Sequence, residues 1–462
     1  MSRSRAERPA VSARWRVWCD EAELAVECAR AAEAIGLDLE PSIDPGAAER
    51  CRAATADGER VALALARPPQ AGALVELATA ARLAERAVPV ALVTGDPESD
   101  RLRWLAGELG LVAVGEIEPL LAALALLDTR SAHPWTASTR RLTPLDRKRL
   151  GDDAITTGRG GGRLLRADEG RLGWASKGTD PSAVLGSPRA VGEALRACRL
   201  RTLAMPPARA VMEGVDRAAV QEVIFGPPRA LSDPASKAAL DPYGLPMPIE
   251  ELCTSPSRAA SEAARLGFPV RISLASPDLR LWDHPDLAVD GVDNAARVRD
   301  VYRQIMAMAS ERQPDARLLG VHVTATTTSQ AMLRVVAEPL PDGLVLAEIG
   351  FADPHGRASD DRTVTVLPAS VDAIERVLGR LAGAPLVLGG GAAARRAAVH
   401  AICDTLLRLA AFVDEHRAEV ERVELNPMAL LLDGATEVRE ACVTVGDAFL
   451  RTLESPRPLG EM

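Results

Sequence analysis

Apolar and polar positions along this chain change their period from one stretch to the next, and those changes mark out the elements. Residues 16–19 (RVWC) make a short strand. Residues 21–36 carry apolar positions at helical spacing and end on Gly36, a common helix stop. Residues 61–66 (VALALA) are continuously apolar, as in a parallel strand covered on both faces, and an Ala/Leu-rich helix follows from about residue 72. Residues 88–94 (VPVALVT) read as another buried strand, 102–109 as a helix and 111–114 as a last strand. Alternation of this kind predicts a small doubly wound parallel sheet, so residues 1–127 are expected to form a flavodoxin-like domain.

Regularity then weakens. A Gly-rich turn at 159–162 precedes two short alternating runs within 162–176, which predict a β-hairpin. Residues 188–196 read as a helix capped by Ser187 with Pro188 in its first position. Residues 128–204 are therefore expected to connect two domains. Periodic structure resumes as an α+β pattern over 205–455.

Composition narrows the functional classes. The net charge of −9 removes support for a nucleic-acid role. No apolar stretch is long enough to span a bilayer, and the Arg-rich start lacks the apolar core of a secretory signal, so a cytoplasmic protein without membrane contact is expected. The seven cysteines are dispersed without metal-ligand spacing, which fits buried thiols in a reducing compartment.

The second half carries the specific signal. Residues 231–248 (LSDPASKAALDPYGLPMP) predict a helix starting near Ser232, running through Lys237 and Leu240 and breaking at Tyr243-Gly244. A second helix over 257–266 leads into Gly267-Phe268-Pro269-Val270-Arg271-Ile272. Ser276-Pro277-Asp278, a helix over 298–312, a strand within 315–323 (DARLLGVHV), the element Val423-Glu424-Leu425-Asn426-Pro427-Met428 and a closing strand over 438–445 follow in order. This series resembles the ATP-grasp half of the NDP-forming acyl-CoA synthetases, which include the ADP-forming acetyl-CoA synthetases and, more distantly, the beta chains of succinyl-CoA synthetase. The resemblance covers about residues 205–450. It implies an ATP-grasp fold, ATP and Mg²⁺ as ligands, and CoA and a small carboxylic acid as reactants, with a partner chain or a homo-oligomer completing the enzyme.

Nucleotide phosphates need cations beside them, and Mg²⁺ takes hard oxygen ligands. Glu424 and Asn426 lie two apart on a strand, on one face, and by resemblance are the metal-side residues; the structural alternative is a surface carboxylate and a turn-capping amide. Where the family has a strand lysine, this chain reads PVRIS, so Arg271 either reaches the phosphates from the same face or ends in solvent. The family's loop with its phosphate-carrying histidine reads LRLWDHPDLAVDGV here: Gly291 survives, and His284 lies near the expected register as a phosphate-shuttling candidate or a loop histidine. The family's adenine-hinge carboxylate is missing from Val323-Thr324-Ala325-Thr326, and Glu348-Ile349-Gly350 replaces its Gly-Gly stretch. Gly389 and Gly390, with Arg395 nearby, offer either an anion-binding nest or a flexible link.

The first domain has two readings: a response-regulator receiver lacking its phosphoacceptor, because Ala66-Arg67 stand where the aspartate belongs, or a flavodoxin-like CoA-ligase domain. Fold alone does not choose between them. Two functions from different classes follow. One is an acid–thiol ligase of divergent type. The other is a non-catalytic regulatory or scaffold protein built on a degenerate ATP-grasp domain and a pseudo-receiver.

Overall fold

A computed structural model of the chain describes residues 14–93, 97–128, 142–150, 163–166, 171–175, 183–203, 212–354, 356–448 and 450. The chain divides into two compact units, residues 1–206 and 207–462.

The first unit holds β1 (Trp15–Cys19), α1 (Ala22–Ile35), β2 (Leu39–Ile43), α2 (Ala47–Ala56), β3 (Val61–Leu65), α3 (Ala71–Leu83), β4 (Pro89–Leu92), α4 (Pro97–Glu108), β5 (Val112–Val114) and α5 (Ile117–Asp128). Its five strands are all parallel, in the order β2-β1-β3-β4-β5, which is the flavodoxin-like order. β3 sits centrally and every residue of it is buried, which accounts for its unbroken apolar sequence. The sequence pattern missed β2, because LEPSI carries only two aliphatic residues and lies at the sheet edge, where burial makes little demand.

After α6 (Pro144–Leu150), the hairpin expected within 162–176 is present as β6 (Arg163–Arg166) paired with β7 (Leu172–Ala175), and β8 (Ala183–Gly186) extends it to three strands. The Gly-rich turn at 159–162 and Thr94, the last residue of the strand expected over 88–94, lie outside the described residues. α7 (Pro188–Leu203) follows, and Leu164, Trp174, Leu185 and Val191 pack into the same core as β1 and α5.

The second unit begins with α8 (Arg217–Ile224), β9 (Arg229–Ala230), α9 (Asp233–Leu240), β10 (Glu250–Cys253), α10 (Pro256–Leu266), β11 (Val270–Ala275), β12 (Ala288–Val292), α11 (Ala295–Arg312) and β13 (Gly320–Ala325). It continues with β14 (Ser329–Pro339), β15 (Val345–Ala352), β16 (Ala358–Leu367), α12 (Val371–Leu378), α13 (Ala384–Leu388), α14 (Ala392–Glu415), β17 (Val420–Leu431), β18 (Thr436–Val438) and β19 (Ala441–Val445). Four strands form a small sheet, β10-β13-β11-β12, backed by α10 and α11. A larger antiparallel sheet runs β16-β15-β14-β17-β19-β9, with β18 beside β17. Its apolar face, including Leu333, Val335, Ile349 and Leu425, packs with Ile402, Leu406 and Leu409 of α14. The fold is thus α/β overall: a parallel five-stranded sheet, then an α+β region with antiparallel sheets. Among the described residues no helix is long and apolar enough to cross a membrane.

α9 shows how sequence sets the entrance to this unit. Ser232 caps it by accepting the Ala235 N–H, Pro234 occupies its first turn, and Gly244 ends the following turn at φ 71°, a left-handed value that suits glycine. Asp233 accepts the Ala441 N–H at 2.8 Å and Ser236 the Val443 N–H at 3.0 Å, so the start of α9 is tied to β19.

Candidate functional site

Between the small and large sheets of the second unit lies a cleft of about 740 Å³, counted with its open mouth. β11, the loop from Ser276 to Trp282, the end of β13 with the 325–327 link, α9 and the turn between β18 and β19 line it.

Lys237 is the hub of one wall. Its buried ammonium donates to both oxygens of Glu250 (2.8 and 3.0 Å) and to the Arg439 carbonyl (2.7 Å), and it pairs with Asp233 at 2.9 Å. Burial works against the Lys237 charge, but Asp233 and Glu250 outweigh it and raise its pKa. Burial likewise opposes the Glu250 carboxylate, yet His322 and Lys237 hold it down at about 2. His322 on β13 presents Nδ1 to Glu250 at 3.4 Å, while its buried Nε2 has no hydrogen-bond partner among the described residues. Asp233, Glu250 and His322 have the spacing of a metal-ligand set, but the Lys237 ammonium already bonds both carboxylates.

Arg271 lies on β11, 8% exposed, and reaches into this cleft. It donates to both oxygens of Asp290 at 3.2 Å and stands 3.9 Å from Glu440 Oε1. Glu440 is buried, and its Oε1 accepts no hydrogen bond from a described residue. Burial pushes its carboxyl up to about 8, with the negative charge of Asp233 adding to the shift against the pull of Arg271 and Lys237.

Glu440 faces Asn426. The β17–β19 register pairs Glu424 with Cys442 and Leu425 with Ala441, and the Asn426 N–H donates to the Glu440 carbonyl at 3.0 Å, so the two side chains share a face. Pro427 has no N–H to offer β14, and the β14–β17 ladder shifts register there, between Leu333/Met428 and Val335/Leu425. Asn426 Nδ2 donates to Glu424 Oε1 at 3.2 Å; since an ionised carboxylate only accepts, this fixes the amide orientation and turns Oδ1 away. Oδ1 is buried and accepts nothing from a described residue. Gly356, at φ 82°, passes in front of it: a Cβ there would lie 3.2 Å from Oδ1 and 2.9 Å from Cβ of Trp282, which lines the cleft.

Glu424 itself is engaged by Arg334 Nε at 2.6 Å and by Arg422 at 3.5 Å. Arg334 also reaches Glu348 at 3.1 Å, and Arg362 lies 3.5 Å from Glu348. The polar face of the large sheet is therefore crossed by a row of alternating charges. In the cleft lining Arg280 stands 5.8 Å over the Trp282 ring and forms no ion pair among the described residues.

Of the sequence-expected residues, Arg271 lines the cleft, and Asn426 approaches it through Gly356 and Trp282. Gly291 follows the lining residue Asp290, at φ 67° in β12. His284 is outside the lining; Arg312 approaches its Nδ1 at 3.5 Å and pairs with Asp286. Gly389 and Gly390 link α13 to α14, and Arg395 is paired with Glu375 of α12, all three away from the cleft lining. Lys237, Glu250, His322, Glu440 and Arg334 were not singled out from sequence. Only Glu440 left a usable trace: it falls within the closing strand expected over 438–445, and in the fold it immediately precedes β19, the partner of the Glu424–Asn426 strand.

A family model described as an ATP-grasp domain matches residues 226–445. The beta subunit of acetate–CoA ligase [ADP-forming] II from Pyrococcus furiosus is 22% identical over 225 residues, covering 48% of this chain and 94% of that protein. The beta subunit of acetate–CoA ligase [ADP-forming] I from the same organism is 23% identical over 213 residues, covering 46% and 90%. Among solved structures, dinucleotide-forming acetyl-coenzyme A synthetase 1 of Ca. Korarchaeum cryptofilum, in complex with coenzyme A, Ca-AMPCP and HgCl⁺, is similar at 20% identity and a TM-score of 0.41, covering 47% of this chain and 93% of that one. Residues 226–445 are an ATP-grasp domain with distant homology to the beta subunits of ADP-forming acetate–CoA ligases.

Proposed function

We propose that the cleft binds a purine nucleotide with one divalent cation, and that the chain is a divergent relative of the NDP-forming acyl-CoA synthetases. The observation that carries this is the pair of unsatisfied buried oxygens, Asn426 Oδ1 and Glu440 Oε1, on facing positions of neighbouring strands. Two hard oxygens without donors suit Mg²⁺, which needs few protein ligands and completes its shell with water and phosphate. Gly356 keeps the space before Oδ1 free of a side chain. Asn426 and Glu440 would hold the ion, Glu440 giving up to solvent the proton that burial favours, with Glu424 orienting the Asn426 amide. A bound Mg²⁺ supplies charge neutralisation for phosphate oxygens. Arg271 and Arg280 add donors, and residues 324–327 line the cleft beside them. Any complete acid–thiol ligase reaction, joining a small carboxylic acid to CoA, would draw its remaining groups from a partner chain.

The non-catalytic reading is favoured by a different observation. The charges of Arg334, Glu348, Glu424 and Arg362 neutralise one another, and Glu348 projects where the family's Gly-Gly stretch was expected. In the first unit, Asp20 accepts the Ala66 and Arg67 N–H groups at 2.8 and 3.1 Å, and Ala66 leaves no acceptor side chain at the end of β3. Both support a protein that senses nucleotide without transferring phosphate.

Calorimetric titration with ATP and ADP, with and without Mg²⁺, tests the cleft. Saturable Mg²⁺-dependent binding is expected, weakened about tenfold or more by Asn426→Ala and by Glu440→Gln. Binding left unchanged by both substitutions would remove the metal assignment. An acyl-CoA formation assay with CoA and short-chain acids then separates the ligase from the sensor.

A further inference from the structure

We propose that Arg334 is a resident cation of this site: its guanidinium takes the place of a second divalent ion between Glu348 and Glu424, so nucleotide binds with a single metal ion. This rests on the nucleotide reading above and adds to it the residue that sets the metal count.

Arg334 lies on β14, with Glu348 on the neighbouring β15 and Glu424 on the opposite neighbour β17. Directly across on β15 stands Gly350, which has no side chain to meet it. On the other side the ladder is interrupted at Asn426-Pro427. The guanidinium therefore has room to lean toward its diagonal neighbours, with Nε 2.6 Å from Glu424 Oε1 and one terminal nitrogen 3.1 Å from Glu348 Oε1. The three side chains are only 12–16% exposed. Two carboxylates this far from water need cations; Arg362 and Arg422 each stand 3.5 Å from one of them, and Arg334 bonds both at shorter distance. A guanidinium stays charged at every accessible pH and cannot dissociate from its own strand.

The same contacts order the neighbouring metal position. Arg334, Arg422 and Asn426 Nδ2 all approach the Glu424 carboxylate, so Glu424 is occupied as an acceptor. Holding Nδ2 there is what leaves Asn426 Oδ1 outward and unpaired. Arg334 thus excludes one ion and, through Glu424, positions a ligand for the other.

Counting bound Mn²⁺ by electron paramagnetic resonance, with saturating ADP, tests this. The unaltered chain is expected to bind about one Mn²⁺, Arg334→Met about two, and Arg334→Lys about one because its ammonium keeps the charge. Adding Glu348→Gln to Arg334→Met should return the count to about one. Circular dichroism and a thermal melt verify folding; should the methionine variant unfold, Arg334→Gln, which retains a hydrogen-bonding side chain, replaces it. A count near two in the unaltered chain, or an unchanged count in a folded methionine or glutamine variant, overturns the proposal. The titration is repeated without nucleotide. An extra Mn²⁺ in the arginine variant that disappears with Glu348→Gln supports the Arg334 assignment even where no nucleotide binds, so that its fate and that of the nucleotide reading are read separately.

Discussion

The two units use their sheets in opposite ways. In the first, β3 is buried throughout and flanked by parallel strands, with helices packed on the sheet, so the body of the central strand has no room for polar chemistry. Any site there must sit at the strand ends, and the carboxylate at the end of β1, Asp20, is already spent on two backbone N–H groups of the β3–α3 loop. In the second unit the antiparallel large sheet buries one face under α14 and leaves the other polar, with Arg334, Glu348, Glu424 and Asn426 projecting from strand bodies. One half has its apolar surface covered for stability, whereas the other has a face on which charges accumulate.

The sharpest way to break this contrast is at Lys237. Replacing it with Ala leaves the half-buried Asp233 and Glu250 without their cation, and a loss of about 3 kcal/mol is expected in urea unfolding of the second unit. If the loss is negligible, the cleft is wetter than its geometry implies. Glu440 gives the next effect. Its carboxyl is raised from 4.5 to about 8, so the folded chain holds a proton that the unfolded chain releases above pH 4.5. That contribution to stability is full below pH 4.5 and is lost as pH rises toward 8. Glu440→Gln should remove the decline, worth on the order of a few kcal/mol, so melting temperatures measured from pH 5 to 8 should flatten relative to the unaltered chain. Glu250, held at about 2, acts in the opposite direction and only below pH 4.5, outside this window. Smallest is Asp20→Ala in the first unit, which frees two loop N–H groups at a cost of about 1–2 kcal/mol and should leave nucleotide titration of the cleft unchanged. A change in titration would mean that the two units are coupled.

Much of this was legible along the chain because it is local. Continuous apolar runs marked the parallel strands, the Ser232 cap and the Gly244 stop framed α9, and the order of motifs from 231 to 445 carried the ATP-grasp fold. For Arg271 the sequence left two outcomes open, cleft or solvent, and for Asn426 it offered a metal-side residue or a turn cap; the fold puts Arg271 in the cleft lining. Less was readable about partners. Nothing near Glu424 in sequence announces Arg334, 90 residues away, as the cation that holds it. Lys237 lies 13 residues from Glu250 and 202 from the Arg439 carbonyl, and only folding brings the three together. β2 was missed because an edge strand needs little apolar sequence.

The sequence by itself determined the periodicities, the caps and turns, and through them two α/β regions and the identity of the second. These follow from interactions within a few residues, which a linear pattern records directly. Tertiary structure decided which charges neutralise each other and which oxygens stay unpaired. That choice depends on strand register and on distances of about 3 Å between residues far apart in the chain, and burial magnifies each outcome by removing the water that would otherwise satisfy it.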